Sequence, residues 1–345
     1  MQGDAVSKTA IPKPGSGLPI GRLLRRPEAG SFIGLIVVYV FFAVLGGAIF
    51  IGTPGWSSFL NMAAEVGIVA LPVGLLMIAG EFDISVGSVV PAAALTVGIV
   101  TGHYDFPAIV GIAAGLGVGL LIGFINGFLV TRTTIPSLII TIGTMFAVMG
   151  LSLGFTVLLH GSTGVFITPD ATTKFIFGQF MGGMFQVTMI WWAAFIVAIF
   201  YLLHLSPWGN WVFALGGDRE SANNAGVPTR RLTIQLFMLS GFASAFVGVG
   251  QIMTYSAAQV ATGHTFIFNS IMCVVIGGVL LTGGAGSVVG IVLGTATFAI
   301  VNQGIFFSGL DPNFGSIIIG ALLLAAVLSN DSFRAMALRH AAKKK

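Results

Sequence analysis

From residue 31 to residue 329 the chain is a series of long apolar runs, such as SFIGLIVVYVFFAVLGGAIFI at 31–51, with hardly a charge inside any of them. One soluble core cannot hide that much apolar surface. The chain has 345 residues, 56% of them hydrophobic and only 8% charged, with a mean hydropathy of +1.00, whereas a soluble domain is about 25% charged. The lipid bilayer is therefore its solvent. There the backbone must satisfy its own hydrogen bonds, as helices or as a closed barrel. The runs are continuous rather than alternating, which selects helices. The expected fold class is an all-α polytopic membrane protein with about ten transmembrane elements, some short or broken.

The ten elements fall roughly at 31–51, 60–79, 84–101, 107–129, 137–159, 187–205, 232–252, 269–281, 286–307 and 314–329. The third and eighth look like half-helices or re-entrant pieces. Gly80-Glu81-Phe82-Asp83 separates the second element from the third, and Gly283-Gly284-Ala285-Gly286 separates the eighth from the ninth. Gly87-Ser88-Val89-Val90 recurs as Gly286-Ser287-Val288-Val289, although not at equivalent places in two halves of opposite topology. In the ten-element order, elements 2–5 and 7–10 have opposite topology, the arrangement of an inverted repeat.

Charge orients the elements. Of 15 Lys and Arg, five lie before residue 31, five follow residue 331 and three lie in 209–232. The positive-inside rule puts all three regions in the cytoplasm, and ten crossings with six before the charged loop satisfy it. Arg132 then also lies inside, and 160–186 outside. A count of eight, without the third and eighth elements, keeps the parity but moves Arg132 outside. The expected organisation is a cytoplasmic tail over 1–30 (no small-residue cleavage site marks a signal peptide), a transmembrane domain over 31–330, and a basic cytoplasmic tail over 331–345. The basic residues sit at membrane edges, so the net charge of +4 is no nucleic-acid signal. The single cysteine, Cys273, excludes a disulfide framework or a metal cluster.

The segment 209–232, GNWVFALGGDRESANNAGVPTRRL, is an island of charge between apolar spans. Its length, small residues and basic exit suit a loop gripped by a cytoplasmic partner rather than a bare connector. Gly216, Asp218, Arg219, Glu220, Ala222, Gly226, Arg230 and Arg231 are its candidate residues. No HExxH, GxSxG or P-loop occurs, so no catalytic set is visible and ATP hydrolysis would need another subunit.

Polar residues inside the apolar runs are the other candidates. Glu65 is the one carboxylate well inside a predicted span, where an ionisable group is costly; it either serves function or reaches the outer interface. Asp83 or Ser85 suits a cap for the third element, with Gly87 and Ser88 completing the break motif. Asn126, Thr141, Thr144 and Asn302 either glue helices together or line a path for a neutral, hydroxyl-rich solute.

Four segments resemble the permease subunits of bacterial ATP-binding-cassette importers for simple sugars, of the ribose, xylose, arabinose and autoinducer-2 type. Gly80-Glu81-Phe82-Asp83-Ile84-Ser85-Val86-Gly87-Ser88 is similar to that family's GGIDLSVGS. Gly123-Phe124-Ile125-Asn126-Gly127 and the run from Ile135-Pro136-Ser137 to Thr144-Met145 are similar to GxxNG and IPPFIVTLGTM. Phe213 to Val227 is similar to AIGGNxxAAxxSGI, and Val275 to Ser287 to VIGGTSLxGGxGS. The order and spacing hold from about residue 32 to 330. The resemblance implies a second permease subunit, as a homodimer or a pair, and cytoplasmic ATPase subunits that bind ATP and Mg. It also implies a periplasmic or lipid-anchored solute-binding protein, in a bacterial inner membrane, with the ATPase gripping the third segment. Two departures stand out. Ala79-Gly80-Glu81 adds a charge where the family opens on Gly-Gly. The family's acidic ELDAIAA before the fourth segment is Phe266 to Cys273 here, without a carboxylate. The competing readings are a secondary transporter, which would need buried ion-coupling groups, and a related permease for a nucleoside or branched-chain amino acid.

Overall fold

A computed structural model of the chain describes residues 28–309 together with 311, 314, 315, 317, 318, 320, 321 and 324. The expected tails lie outside those residues except for 28–30, and so does most of the tenth element. The nine other apolar elements are all helices. In chain order they are α1 (Glu28–Ile51), α2 (Thr53–Ile78), α3 (Val86–Gly98), α4 (Ala108–Arg132), α5 (Ser137–His160), α7 (Thr188–Phe200), α10 (Thr229–Tyr255), α11 (His264–Ile276) and α12 (Val288–Phe307). Between them lie three short helices, α6 (Ala171–Phe177), α8 (Pro207–Gly217) and α9 (Arg219–Asn224). Among the described residues, eight helices are long and apolar enough to cross a membrane, and Val260–Ile276 is a shorter ninth.

Three boundaries differ from expectation for local reasons. α2 starts at Thr53 rather than near 60, because Pro54 occupies its first turn, where proline's missing N–H costs nothing. The third element is not short: a π-helical turn, Ile99–His103, carries it to 18 residues. The eighth ends at Ile276 rather than near 281. The break begins at Gly277-Gly278, and Gly278, Gly283 and Gly284 adopt positive φ that glycine alone takes freely.

The packing is that of a protein dissolved in lipid. α2, α3, α10 and α12 form the buried centre, while α1, α5 and α7 turn apolar side chains outward, with Val44, Leu158 and Val197 more than two-thirds exposed. Small residues let the central backbones touch. Along the antiparallel pair α4–α10, Gly119 abuts Gly241 and Ala245, Gly123 abuts Phe237 and Met238, and Gly127 abuts Ile234. Deep in the bundle the first turn of α3 meets the residues leading into α11: a Cβ at Gly87 would press on the Gly263 carbonyl, and one at Gly263 on the Gly87 carbonyl. Two helix beginnings thus meet backbone to backbone. The GSVV echo marks helix starts, since Ser287 caps α12 through the Gly290 amide while Gly87-Ser88 lies in the first turn of α3.

One end of the bundle carries the 206–228 connection, the α2–α3 break and Arg132, which shares a groove with Arg230 and Arg231. That grouping agrees with the ten-element order and not with the eight-element one. The opposite end carries 160–187. There β1 (Gly164–Phe166) pairs antiparallel with β4 (Ala257–Gln259), Val165 opposite Ala258, and β2 (Phe180–Met181) forms a hairpin with β3 (Phe185–Gln186). Asp170 caps α6 through the Thr172 and Thr173 amides at 3.0 Å.

Candidate functional site

All four sequence segments that carry the family resemblance converge on one place, the chain break at 79–85 between α2 and α3. The break exposes backbone amides that no helix satisfies; side chains of α5 and of the break itself meet them, and side chains of α4 and α10 bond to the break's own polar side chains. Ser137 Oγ accepts from the Phe82 amide at 3.0 Å, and Thr141 Oγ1 from the Ile84 amide at 3.2 Å. Asp83 Oδ1 accepts from the Ser85 amide (2.9 Å) and hydroxyl (2.6 Å), and its Oδ2 accepts from Ser240 of α10 at 2.8 Å. Asn126 of α4 donates to Ser85 Oγ at 2.8 Å, and Ser88 donates to the Ser85 carbonyl at 2.8 Å. Asp83, Ser85, Ser88, Asn126, Thr141 and Ser240 are all buried. Ser85 stands at the N-cap of α3 but makes no side-chain hydrogen bond to the helix's amides, so the expected cap takes another form: Asp83 holds the Ser85 amide and hydroxyl and bridges the start of α3 to α10, and Ser85 passes the connection on to α4. Asn126 Oδ1 is buried without a hydrogen-bond partner.

Beneath the break lies a glycine junction. The Gly284 amide donates to the Ile78 carbonyl at 2.8 Å. A Cβ at Gly216 would strike that same carbonyl, and one at Gly283 would press on Gly80 and on the Gly216 carbonyl. The ends of α2 and α8 and the 277–287 break therefore approach as closely as backbones allow, which only glycine permits.

The charged segment joins this junction through one ion pair. Arg219, the first residue of α9, donates from Nη1 to Glu81 Oε1 at 2.8 Å and from Nη2 to Thr233 Oγ1 at 2.7 Å. The Glu81 side chain is 9% exposed and that of Arg219 45%. The carboxylate that departs from the family pattern is thus answered by an arginine at an unspecified position of the third motif. In the sequence Glu81 reads as a departure from the family and Arg219 as part of the charged loop, and only the fold shows that they pair.

α9 itself is a short surface helix. Asp218 caps it, Oδ1 accepting from the Ser221 amide at 2.6 Å, and that hydrogen bond holds the Asp218 carboxyl below the usual carboxylate range. Ala222 is buried beneath it, and Gly226 with φ of +86° closes it, the Val227 amide returning to the Ala222 carbonyl at 3.0 Å. Glu220, Ser221, Asn223 and Asn224 remain exposed.

The other candidates lie elsewhere. Glu65 stands towards the opposite end, accepting from Gln251 at 3.0 Å and from the Tyr255 hydroxyl at 3.4 Å, while Gln186 donates to the same hydroxyl at 3.0 Å. Asn61 holds the hairpin there, donating to the Met184 carbonyl and accepting from the Gln186 amide. Thr144 bonds only to the Ile140 carbonyl, one turn back. Asn302 accepts from its neighbour Gln303 at 3.1 Å. The structure brings together Asp83, Ser85, Asn126 and Thr141, but not Glu65, Thr144 or Asn302. Two further hydroxyls complete the site: Ser137, which lies within the second family segment but is not among the candidate residues, and Ser240, which no sequence signal marks.

A bundle of lipid-facing helices, with a chain break at its charged end tied to a capped surface helix, is that of a polytopic membrane protein. The model of the family described as branched-chain amino acid transport system, permease component, matches residues 55–327, and the chain belongs to that family. It is 30% identical over 318 residues to the fructose import permease protein of Rhizobium meliloti, covering 90% of this chain and 87% of that one. It is 31% identical over 331 residues to the L-arabinose transport system permease protein of Escherichia coli, covering 94% and 96%. To the ribose import permease protein of Bacillus subtilis it is 29% identical over 308 residues, covering 87% and 92%. No solved structure matches the chain. Membership favours a permease component over a secondary transporter.

Proposed function

We propose that the chain is the membrane subunit of an ATP-binding-cassette importer and forms the path for a monosaccharide or related polyol. The curated relatives named above are import permeases for fructose, arabinose and ribose, which supports a sugar over a branched-chain amino acid despite the family's description. Within the eight long helices no Lys or Arg stands away from an end, so no basic side chain inside the bundle is set to receive an amino acid's carboxylate. The observation that carries the reading is the Arg219–Glu81 pair, a direct connection from the surface helix α9 to the break between α2 and α3.

In this mechanism a cytoplasmic ATPase subunit, which binds the ATP and Mg, grips the exposed face of α9 at Glu220, Ser221 and Asn223. Movement of α9 pulls on Glu81 through Arg219. The break then shifts against Ser137, Thr141 and Ser240, re-aiming α3 and opening the path at one end of the bundle. Asn126 and Thr141 serve here by holding the break; Thr144, Asn302 and Glu65 are proposed path residues. The charged end faces the cytoplasm, 1–30 and 331–345 lie on that side, and 160–187 faces a solute-binding protein outside. A second permease subunit completes the channel.

The test is uptake of labelled pentoses, hexoses and polyols by cells that express the chain with its ATPase and binding protein. Rebuilding 219–224 as Gly and Ser should abolish uptake while the chain still reaches the membrane. Full uptake after that change, or uptake of amino acids only, overturns the proposal.

A further inference from the structure

Three arginines at the charged end are not used by the break. Arg132 ends α4, and Arg230 and Arg231 open α10. The antiparallel register set by Gly119, Gly123 and Gly127, continued by one turn, brings them side by side. They line one groove of about 340 Å3 together with Phe128, Thr131, Ile234 and Gln235, and no carboxylate among the described residues lines it. Among the described residues the single ion pair is Arg219–Glu81, so none of the three has an acidic partner there. The Arg132 guanidinium lies 5.4 Å from the centroid of the Phe128 ring, held at the rim of the groove by that aromatic face. Arg230 and Arg231 stand in the first turn of a helix, where its partial positive charge adds to theirs. Three cations so placed repel one another until an anion sits among them.

The walls of the groove say which anion. Phe128 is 42% exposed on the outer face of α4, and Phe124, 44% exposed, stacks on it one turn deeper with ring centroids 6.0 Å apart. An exposed aromatic strip beside the groove therefore runs from the arginines down into the apolar layer, where a soluble partner or a free anion gains nothing. A ligand that fits both parts has a phosphate head and an apolar tail. Guanidinium forks take phosphate oxygens in pairs, and basic pockets at the ends of transmembrane helices take anionic head groups.

We propose that this groove binds an anionic phospholipid, its phosphodiester between Arg132, Arg230 and Arg231 and an acyl chain along Phe128 and Phe124. The groove shares Thr131 and Arg230 with the cleft beside α9 that holds Arg219, Glu220 and Asn223. A bound lipid thus sits next to the helix that leads to the break. The proposal rests on the membrane fold alone and is independent of the solute.

The test uses the full chain reconstituted in phosphatidylcholine vesicles with a trace of spin-labelled phosphatidylglycerol or, in parallel, spin-labelled phosphatidylcholine. The immobilised fraction of each label gives the preference of the protein for the anionic lipid. Wild type should prefer phosphatidylglycerol by about tenfold or more at this site, and the preference should fall as sodium chloride is raised. The triple variant Arg132→Gln, Arg230→Gln, Arg231→Gln should hold both labels equally, while the triple Lys variant should keep most of the preference. Equal immobilisation by wild type, a salt-independent preference, or a preference that survives the Gln variant each overturns the proposal. Loss of the preference in sodium phosphate but not in sodium chloride of equal ionic strength assigns the site to free phosphate and overturns it too. Should the triple Gln variant fail to assemble, the single variants Arg132→Gln and Arg231→Gln decide, each expected to lower the preference by several-fold; no change in either overturns the proposal.

Discussion

Breaking the Glu81–Arg219 pair from either side should give unequal costs, because its two members are unequally buried. Glu81 is 9% exposed and makes its one described side-chain hydrogen bond to Arg219; Arg219 is 45% exposed and also reaches Thr233. Glu81→Gln removes the buried charge and leaves a half-solvated guanidinium that water can serve, which resembles the loss of a surface pair and costs about 1 kcal/mol. Arg219→Ala leaves a carboxylate in the bundle with no counter-ion. Loss of one member of a fully buried pair costs about 3–5 kcal/mol, and partial exposure brings this to roughly 2–3 kcal/mol. The double variant, Glu81→Gln with Arg219→Ala, should cost less than the sum of the two, by about 1–2 kcal/mol. The assay is unfolding of the purified chain in mixed micelles of increasing sodium dodecyl sulfate, with the four proteins read as a double-mutant cycle. If Arg219→Ala costs no more than Glu81→Gln, or if the two costs add, the pair does not join α9 to the break and the coupling mechanism loses its support.

Four further outcomes are expected. Gly119→Ala should destabilise the chain by about 1–3 kcal/mol in the same assay, because its Cβ meets Ala245 and the Gly241 carbonyl, while Gly117→Ala, with open space around it, should be neutral. Asp83→Ala strips three hydrogen bonds from the start of α3 and should cost about 3 kcal/mol or prevent assembly, with Asp83→Asn milder; equal stability of the Ala variant would contradict the role given to this network. In a Cys273→Ser background, Ser162→Cys should react with a membrane-impermeant thiol reagent on intact cells and Ser221→Cys should not; the reverse pattern would invert the orientation. Because the Asp218 carboxyl is held below its ordinary value of 3.8, its cap on α9 is fully present above that value and lost as the pH falls through the lowered one; protection of the Ser221 amide against hydrogen exchange should therefore persist down to the ordinary carboxylate range, and its loss near neutral pH would count against the cap.

The sequence by itself determined the class of this protein and the order of its parts. A chain with so few charges and so many long apolar runs has lipid as its one stable solvent, and nine of the ten elements it announced are helices. Even the grouping of Arg132 with the charged loop followed from counting crossings, because helices joined by short connections must alternate direction. What the sequence did not determine is which helices meet. In lipid, apolar side chains are as well solvated by acyl chains as by each other, so hydrophobic periodicity carries no address for a neighbour. The addresses are small residues and single hydrogen bonds, and these join positions far apart in the chain: Asn126 to Ser85 across 41 residues, Arg219 to Glu81 across 138, Ser240 to Asp83 across 157. Asn126 and Thr141 read equally well as path or as glue until the fold set them against the break. Glu81 read as a departure from the family and Arg219 as a residue of the charged loop until the fold made them one contact. Only the tertiary structure could decide this, because a buried polar group takes its meaning from the partner that satisfies it, and that partner is chosen by packing.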